Sequence, residues 1–395
     1  MFTAALIAGT VCLFVWMYLL LANGEFWRVW KLGSDFPPAT AATGKIAVVI
    51  PARDEASVIR ETVQSLLAQT CADSIRVFIV DDHSSDGTAK VAYDTARVCG
   101  RAEALTVIAA EPLPPGWTGK LWAVQQGVEQ AVRLDPAFLL LTDADIYHAP
   151  DNIARLVAIA EEGNYDLTSF MVKLHCRSMA EKLLIPAFVF FFFMLYPPLW
   201  IRNSKREVAG AAGGCMLIRP GALQRAGGIS AIRGQIIDDC ALARAVKGTG
   251  GRVWLGVTPE TLSMRAYNSF AEVERMIART AFSQLRHSTV VLAGAIVGMA
   301  ITYLLPFALL AGRRPLLSAL GALCWALMAV AYLPTVRFYG LAAPWALTLP
   351  LSAVFYMFAT IHSATQYWSG HGGTWKGRAQ DTTDAVERLQ SPGDR

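Results

Sequence analysis

Hydrophobic residues along the chain fall into two kinds of segment. Between about Lys45 and Phe270 they form short runs that alternate with segments of helical spacing. Outside this middle part they form long runs that carry almost no charge. Short apolar runs with polar boundaries predict buried strands, whereas runs of about 20 residues predict helices that cross a bilayer. The pattern therefore predicts a globular α/β part flanked by membrane segments.

The short apolar runs are predicted to be strands of one sheet. Lys45–Ile50, Ile75–Val80, Ala104–Ala109 and Leu139–Leu141 meet this criterion, with helical segments between them. Alternation of strands and helices indicates a mostly parallel sheet that is covered on both faces. Pro51 is expected to end the first strand, because proline has no N–H group for the ladder.

Acidic side chains follow three of these strands at once. They are Asp54 and Glu55 after the first strand, Asp81 and Asp82 after the second, and Asp143 and Asp145 after Leu139–Leu141. In open α/β sheets, ligands bind at the carboxyl ends of the strands. Residues i and i+2 of a strand point to the same side, so Asp143 and Asp145 are predicted to offer oxygen ligands to Mg²⁺ or Mn²⁺. Asp54 and Asp86 are expected to be helix N-caps instead.

Two further motifs lie later in the α/β part. A glycine-rich turn at Ala209–Arg219 leads into a strand, and Gly213–Gly214 would let the backbone approach a ligand closely. Asp238 and Asp239 stand where a helix is predicted to begin. Helix capping explains one aspartate at such a position better than two.

The first apolar run predicts a membrane anchor. Residues 1–24 are long enough to cross a bilayer. A cleaved signal peptide is the alternative, but the run lacks a basic start and a small-residue cleavage pattern. Arg28 and Lys31 follow the run, so the positive-inside bias places the next domain in the cytoplasm. Residues 25–44, which include Pro37–Pro38, are expected to form a linker.

The last third of the chain predicts about three transmembrane helices within residues 288–367. They are Thr289–Ala311, Leu316–Val336 and Leu341–His362, followed by a polar tail at 368–395. Three crossings would place that tail on the side of the membrane opposite to the α/β part. Arginines stand in the loops at both ends of these helices, so charge leaves the side of the tail open.

Two segments are candidates for the bilayer surface. Residues 183–201 are rich in aromatic side chains and interrupted by prolines, which favours an interfacial or re-entrant segment or, equally, a buried core helix. Ser269–Gln284 is amphipathic, with Phe270 and Ile277 on its apolar face. It is expected to lie on the bilayer surface or to pack as an ordinary surface helix.

Composition agrees with a membrane protein. The hydrophobic fraction is 54% and the mean hydropathy is +0.38, which are high for a chain without membrane segments. A formal net charge of +4 without a long basic tract gives no indication of a nucleic-acid partner. The seven cysteines show no CxxC pair and no zinc-like spacing, so reduced, structural cysteines in a cytosol-facing domain are expected.

The motifs together resemble the family 2 glycosyltransferases, whose catalytic domain has a nucleotide-sugar-binding GT-A (Rossmann-like) fold. The matching segments, in order across residues 45–287, are Pro51–Glu55, Asp81–Thr88, Gly119–Lys120, Asp143–Asp145, Gly213–Gly214 and Asp238–Asp239. Within that family, the anchor, the C-terminal helices and the Thr374–Arg378 tail are most similar to the hopanoid-associated glycosyltransferases of bacteria, which are relatives of the ceramide glucosyltransferases.

The resemblance implies a role for each matching residue. The nucleotide would be held by Ala52, Glu55 and Asp81 or Asp82, and the diphosphate would lie near Lys120. The metal ion would be bound by Asp143 and Asp145, and the catalytic base would be Asp239, beside Asp238. The acceptor or diphosphate side would be formed by Gly213, Gly214, Arg286 and His287. Asp238 replaces the family's more usual glutamate. His287 replaces the tryptophan of the Gln/Arg-x-x-Arg-Trp motif found in processive synthases, which weakens the case for a polymerising enzyme.

The implied activity is inverting, metal-dependent transfer of a sugar, expected to be a hexose, from a nucleotide-sugar to a lipid acceptor. The enzyme would belong to the bacterial inner membrane, with its catalytic domain facing the cytoplasm, and would act in hopanoid or related lipid metabolism. A processive polysaccharide synthase is the enzymatic alternative. A membrane lipid carrier or scaffold without catalysis is the alternative of another class.

Overall fold

A computed structural model describes residues 2–33, 37, 44–312, 314–370, 374–375 and 378–379. Parts of the predicted linker, Arg313 and most of the predicted tail lie outside the described residues. The chain divides into two compact units. We call Gly33–Leu174, Ile201–Arg265 and Gly373–Arg395 the sheet unit, and Met1–Leu32, His175–Trp200 and Ala266–Gly372 the helical unit.

The secondary structure of the described residues alternates in the sheet unit and is helical elsewhere. The strands of the main sheet are β1 (Ile46–Ala52), β2 (Ile75–Asp81), β3 (Leu105–Ala109), β4 (Phe138–Leu141), β5 (Ile146–Tyr147), β6 (Leu167–Lys173), β7 (Met216–Ile218) and β8 (Val253–Ser263). The α-helices are α1 (Phe2–Leu21), α2 (Ile59–Leu67), α3 (Thr88–Val98), α4 (Gly119–Ala131), α5 (Asn152–Glu162), α6 (Met179–Leu195), α7 (Pro198–Arg202), α8 (Pro220–Arg225), α9 (Asp238–Gly248), α10 (Phe270–Gln284), α11 (Thr289–Met299), α12 (Leu305–Leu310), α13 (Pro315–Phe338) and α14 (Leu349–Trp368).

The main sheet has the strand order β3-β2-β1-β4-β7-β6-β8-β5. β3, β2, β1 and β4 are parallel, as predicted. The other half is mixed: β7 is antiparallel to both β4 and β6, β8 is parallel to β6, and β5 is antiparallel to β8. Every residue of β1 and β4 is buried. The carboxyl ends of β1, β2 and β4 therefore meet at one edge.

Helices cover both faces of the sheet. α2 and α5 pack on one face, where Ile59, Val63, Leu156 and Val157 join the main core cluster. α4 lies on the other face, and its approach is so close that a Cβ atom at Gly127 would come within 2.4 Å of Val49 Cγ1. The predicted layer architecture is confirmed, and it fixes α4 directly behind the carboxyl edge.

The prediction that Pro51 ends the first strand is wrong. β1 continues through Pro51 to Ala52, paired with β2 along its whole length. β4 pairs with β1 only as far as Val49. The Ala52 carbonyl accepts the Asp82 N–H on the β2 side, and alternate residues face opposite neighbours. The ring nitrogen of Pro51 thus faces the side where no partner strand remains, so the missing N–H breaks no ladder bond.

In the helical unit, α1 and α13 run in the same direction. Arg314, the residue before α13, lies over the ring of Phe2 at 4.7 Å from its centroid. Further along, a Cβ atom at Gly9 would stand 2.6 Å from Leu320 Cδ2. Small residues at such positions let apolar helices approach closely, which is how helices associate without a hydrophobic driving force in lipid.

α11 and α12 run in the opposite direction and contain a π-helical turn between them, at Ala300–Leu304. The Thr302 carbonyl lacks its usual helical donor, because the residue four positions later, Pro306, has no N–H group. The indole Nε1–H of Trp16 in α1 donates to that carbonyl at 3.0 Å. The hydrogen bond satisfies a backbone group and ties α12 to α1.

α6, α10 and α14 run alongside one another in the same direction. Ser352 and Tyr356 of α14 donate to the carbonyls of Leu183 and Leu184 in α6, at 2.8 and 3.0 Å. α10 packs its apolar face on α14, as the amphipathic pattern predicted, and Phe282 contacts the ring of Tyr367 at 5.4 Å.

Five helices are long and apolar enough to cross a membrane by length and composition, among the residues described. They are Phe2–Leu21, Met179–Arg202, Thr289–Leu310, Pro315–Phe338 and Ala343–Trp368. The predicted segments at residues 1–24 and 288–367 are thus confirmed as apolar helices. Met179–Arg202 is 61% buried within the protein, more than the other four, which favours the packed-helix alternative for residues 183–201.

The crossing of α12 and α13 makes Gly321 a test of the bundle. A Cβ atom there would stand 2.4 Å from the backbone oxygen of Pro306. Gly321→Ala should therefore force the helices apart and destabilise the protein by about 1–3 kcal/mol. Gly298→Ala in α11 is the matched control, since nothing lies within 4 Å of its added Cβ. It should be neutral or slightly stabilising, because alanine favours helix.

Thermal unfolding midpoints of the purified variants in one detergent would measure the difference. Equal midpoints for Gly321→Ala and Gly298→Ala would show that the close crossing does not exist in the membrane protein.

Candidate active site

A pocket opens at the carboxyl edge of the sheet, within the sheet unit. Its polar lining includes Lys120, Asp143, Gly213 and Asp238, which come from four separate segments. Its apolar lining comes from α4, α9, β7, the ends of β1 and β4, and the turn that contains Ile229 and Ile232. The structure therefore brings together four of the residues that the sequence singled out over more than a hundred positions.

Lys120 lies between two carboxylates in this pocket. Its Nζ is 2.9 Å from Asp143 Oδ1 and 3.1 Å from Asp238 Oδ2. Burial alone would lower the pKa of Lys120, but the charges of Asp143 and Asp238 outweigh it and raise the pKa well above its ordinary value. Burial raises the pKa of Asp143, and the ammonium of Lys120 opposes that rise. Lys120 is thus a permanent cation at the centre of an acidic cluster.

Asp239 occupies the first turn of α9 beside Asp238. Its Oδ2 accepts the N–H of Gly213 at 2.9 Å, and its Oδ1 accepts the N–H of Cys240 at 2.7 Å. Burial and the charge of Asp238 raise the pKa of Asp239 to about 6. A carboxylate with fixed orientation and a pKa near 6 suits a general base at neutral pH.

The two glycines of the turn have different surroundings. Gly213 lies within ordinary contact distance of Asp239 and Lys120, so its backbone borders the acidic cluster. Gly214 turns inward, where an added Cβ would press on Ile146 and Val172 at 3.2 and 3.3 Å. Only Gly213 is therefore placed as a sequence-predicted ligand-facing glycine should be.

Asp145 and Asp143 separate, contrary to the expectation that they stand side by side at a strand tip. β4 ends at Leu141, and the chain turns at Ala144 and Asp145, so the alternation of a strand no longer applies. Asp145 is buried and accepts from Arg265 Nε at 2.9 Å. The two aspartates are thus held by two different cations, Lys120 and Arg265.

Arg265 is a site residue that sequence reasoning missed. Its Nη2 donates to Glu55 Oε1 at 2.6 Å while its Nε holds Asp145. Burial would lower the pKa of Arg265, but the charges of Asp145 and Glu55 raise it. No local pattern in the sequence indicates this role, because Asp145 and Glu55 lie 120 and 210 positions away from Arg265.

Asp81 and Asp82, which the resemblance left as alternatives, have different environments. Asp82 is buried and engaged by the protein: Arg53 Nη1 lies 3.4 Å from its Oδ2, and His83 Nδ1 lies 3.2 Å from its Oδ1. Asp81 Oδ1 is buried and accepts no hydrogen bond from the described residues. A buried acceptor without a donor is costly, so Asp81 is the better placed of the two to receive a ligand N–H or O–H group.

The loops after β1 and β2 bind each other through the residues that were expected to be helix caps. Ser85 N–H donates to Asp54 Oδ1 at 2.8 Å, and Ala56 N–H donates to Asp86 Oδ2 at 2.9 Å. Glu55 N–H donates to Thr88 Oγ1 at 2.8 Å. Asp54 does not cap α2, whose N-cap residue is Val58, so that prediction is wrong. Asp86 is not the N-cap residue of α3 either, but its Oδ1 accepts the N–H of Thr88, the first residue of that helix, at 3.0 Å.

Behind the acidic cluster, a buried histidine links β4 to the glycine turn. Asn152 Nδ2 donates to His148 Nδ1 at 3.0 Å, so the ring proton is on Nε2, which donates to Thr142 Oγ1 at 3.1 Å. Thr142 in turn donates to the Gly214 carbonyl at 2.7 Å. Burial lowers the pKa of His148 to about 3, so the chain of donors keeps one direction at neutral pH. It fixes Asp143 and Gly213 relative to each other.

The acidic cluster fits a divalent cation only together with a ligand. Within the described part of the chain, no group of three or more His, Cys, Asp or Glu side chains is arranged to hold a metal ion. Mg²⁺ commonly takes one or two carboxylates and completes its shell with water and substrate phosphates. Asp143, which lines the pocket, could supply one such carboxylate, and Asp145, although held by Arg265, is close enough for its charge to raise the pKa of Asp143.

Arg286 and His287 belong to the helical unit and follow the end of α10. Both have positive φ, 54° each, which is rare for residues other than glycine. The ring of His287 stacks on Tyr367 at 4.2 Å and 10°. Their role on the acceptor or diphosphate side stays a prediction, as does the role of Ala52, whose carbonyl binds Asp82 N–H.

Comparisons with known proteins identify relatives of the chain. The family model described as "Glycosyltransferase like family 2" matches residues 43–296. Undecaprenyl-phosphate 4-deoxy-4-formamido-L-arabinose transferase of Proteus mirabilis (strain HI4320) is 31% identical over 129 residues, 31% of this chain and 35% of that protein. The chain thus spans about a third of the length of that relative.

A solved structure is similar over nearly the whole chain. It is the mannosyltransferase PcManGT from Pyrobaculum calidifontis, in complex with GDP-Man and Mn²⁺. The TM-score is 0.52 at 17% identity, and the match covers 90% of this chain and 98% of that chain. At this identity the similarity concerns the fold.

The ion pairs of Arg265 with Glu55 and Asp145, which we call the Arg265 clamp, can be tested by measuring protein stability. Arg265→Gln leaves the buried Glu55 and Asp145 without their cation. Because the Arg265 side chain is 37% exposed, we expect a loss of about 2 kcal/mol, below the loss for a fully buried pair. Arg225→Gln is the matched control, since it breaks the ion pair to Asp166 at a side chain that is 56% exposed. That variant should lose less than about 1 kcal/mol.

Thermal midpoints of both variants, measured with and without a bound nucleotide-sugar, would check this. An Arg265→Gln midpoint equal to that of Arg225→Gln would rule out the clamp.

Proposed function

The chain belongs to the glycosyltransferase-like family 2 and has the GT-A fold, and from that premise we propose that it transfers a sugar from a nucleotide-sugar to a membrane lipid with inversion. The observation that carries the proposal is the cluster of Lys120, Asp143, Asp238 and Asp239 at the carboxyl edge of the sheet. It combines a fixed cation with an oriented carboxylate whose pKa is near 6.

Lys120 is proposed to bind the diphosphate of the donor. Its ammonium contacts two carboxylates, and an incoming diphosphate would displace one of them from the ammonium. A divalent cation held by Asp143 and Asp145 would offset the charge that develops on the departing nucleoside diphosphate. Asp81 is proposed to bind the nucleoside, because its Oδ1 is a buried acceptor in need of a donor.

Asp239 is proposed to remove the proton of the acceptor. Two backbone N–H groups fix its carboxylate, so one orientation is presented to an acceptor hydroxyl. Deprotonation lets the acceptor oxygen attack the anomeric carbon on the face opposite to the leaving diphosphate, which inverts the configuration. Asp238, paired with Lys120, raises the pKa of its neighbour by its charge and keeps the base poised near neutrality.

The acceptor is proposed to be a lipid with a hydroxyl group. Long apolar helices on the same chain support a lipid acceptor, and the Proteus mirabilis relative is named for a lipid-phosphate acceptor. A phosphate acceptor is already ionised and needs no general base, whereas an alcohol does. The raised pKa of Asp239 therefore favours the alcohol, and a hopanoid or another polyisoprenoid alcohol is the proposed class.

Two other functions make different demands on the site. A processive polysaccharide synthase would release long products, and the replacement of the motif tryptophan by His287 argues against it. A carrier or scaffold without catalysis has no use for an oriented base. The proposed cellular setting is the bacterial inner membrane, with the sheet unit in the cytoplasm, where soluble donors are made.

Asp239→Asn tests the base directly. The amide keeps the shape of the side chain but cannot take a proton, so the transfer rate should fall about 10²–10⁴-fold. Donor affinity, measured by calorimetry with a non-transferable donor, should change little, because Lys120 and Asp81 remain. Asp94→Asn on the surface of α3 is the matched control and should leave both quantities unchanged. Loss of donor binding in Asp239→Asn would contradict the role of Asp239 as the base.

The pH dependence of transfer reports the same carboxylate. Asp239 acts only when ionised, and its pKa is about 6, so the rate should rise as the pH rises through 6 and then level off. The residual rate of Asp239→Asn should lack this inflection. A wild-type rate that stays flat between about pH 5 and 8 would show that Asp239 does not limit the transfer.

A further inference from the structure

Helix directions define two ends of the helical unit. α1 and α13 run in one direction and α11–α12 run in the other, between the same two ends. The far end holds Phe2 and Arg314. The near end holds Phe26, which follows α1, and Tyr332, which lies near the end of α13. Both of these rings contact Phe190, at 5.2 and 5.3 Å between centroids. The chain passes from the near end into Gly33.

The C-terminal end of α14 lies at the near end. Tyr367 stacks on His287, which stands two residues before α11 begins. Ala364 packs with Leu292 of α11 in one buried cluster. Because α11–α12 runs from its start to Arg314 at the far end, its start is at the near end. α14 therefore finishes where α11 starts.

The N-terminal end of α14 is reached from the near end as well. α13 finishes there, at Phe338. The connection then turns back along α13, since Trp325 Nε1 donates to the Leu347 carbonyl at 3.3 Å. Trp325 lies about 20 Å from Phe338 at 1.5 Å per residue. Residues 341–348 thus descend into the bundle from the near end, and α14 returns to that end.

The outward face of α14 is apolar along its length. Exposed apolar residues follow one another at spacings of three and four, and they are Leu351, Val354, Phe358 and Ile361, with Leu347 four residues before Leu351 in the turn that precedes the helix. Leu351 is 59% and Phe358 is 61% exposed. The opposite face packs against α6 and α10. An apolar stripe of this length on one face is typical of a helix that contacts hydrocarbon.

Two arginines of α10 lie beside the C-terminal part of α14, which runs toward the near end. α10 packs beside it, with Glu274 Oε1 at 2.5 Å from His362 Nδ1. Arg275 and Arg279 lie exposed on the other face of α10 and form no ion pair with the described residues. Exposed cations next to an apolar stripe match the phosphate groups of lipids at the level where hydrocarbon ends.

We propose that α14 is a one-leaflet helix that does not cross the membrane. Its outward stripe inserts into the hydrocarbon of the leaflet at the near end, and Arg275 and Arg279 contact the lipid phosphates of that leaflet. The chain then crosses the bilayer three times, through α1, α11–α12 and α13. α6 does not cross, because the chain enters it from the sheet unit and returns from it to the same unit. The chain leaves α14 on the side from which it passes into Gly33.

Epitope accessibility tests the number of crossings in the full-length protein and needs no activity, so it is independent of the sugar that is transferred. One version carries an epitope before Met1 and another carries it after Arg395. Proteinase K is added to spheroplasts and to inverted vesicles of a bacterial host. Three crossings place the two epitopes on opposite sides, so each preparation should lose one of them. Loss or protection of both epitopes in the same preparation would show that α14 crosses and would overturn the proposal.

Lipid contact is tested by fluorescence quenching in proteoliposomes of phosphatidylethanolamine and phosphatidylglycerol. Cys71, Cys99 and Cys176, the cysteines that are not buried, are first replaced by serine. A bimane label at Phe358→Cys should then be quenched strongly by doxyl-labelled lipid. The matched control is Val98→Cys in the sheet unit, at a side chain that is 81% exposed, and its label should not be quenched. Equal, weak quenching at both positions would refute insertion of the stripe.

Discussion

The charge balance between four carboxylates and two cations, Lys120 and Arg265, is the constraint on which the arrangement of the site depends. Asp143, Asp145, Asp238 and Glu55 all lie at the edge where the parallel strands end, and an unpaired buried carboxylate costs several kcal/mol. Lys120 and Arg265 remove that cost in different ways. Arg265 holds two acids with the rigid fork of its guanidinium, while Lys120 offers a single ammonium that can exchange partners. Arg265 therefore has a structural role, whereas Lys120 can exchange a carboxylate for the diphosphate that we propose it binds.

The different contacts of Arg265 and Lys120 are consistent with the proposal that one edge of the sheet both binds the donor and holds the catalytic base. Asp239 receives two backbone N–H groups and forms no ion pair within the described part of the chain, so burial and the charge of Asp238 prevail and raise its pKa to about 6. The network of Asn152, His148 and Thr142 fixes the turn that supplies one of those N–H groups. Electrostatics and backbone geometry thus support the proposed role of Asp239 in proton transfer and the proposed binding roles of the other acids.

The sequence predicted the parallel half of the sheet because buried strands with acidic ends have a short-range signature. It also predicted the start of α9 at Asp238. Arg265 was missed because its partners are 120 and 210 positions away, and no local pattern encodes such a pairing. The proposed return of α14 to its starting side also rests on distant contacts, such as that of Tyr367 with His287.

The measurement that tests the proposed activity most directly is release of nucleoside diphosphate by the purified full-length protein in detergent. The assay contains Mg²⁺ or Mn²⁺ and one UDP- or GDP-sugar at a time, with and without a bacterial lipid extract. A lipid glycosyltransferase should release diphosphate from one donor, faster with lipid than without it, and Asp239→Asn should abolish the lipid-dependent part. Absence of release from every donor, with and without lipid, would contradict catalysis and favour a carrier or scaffold.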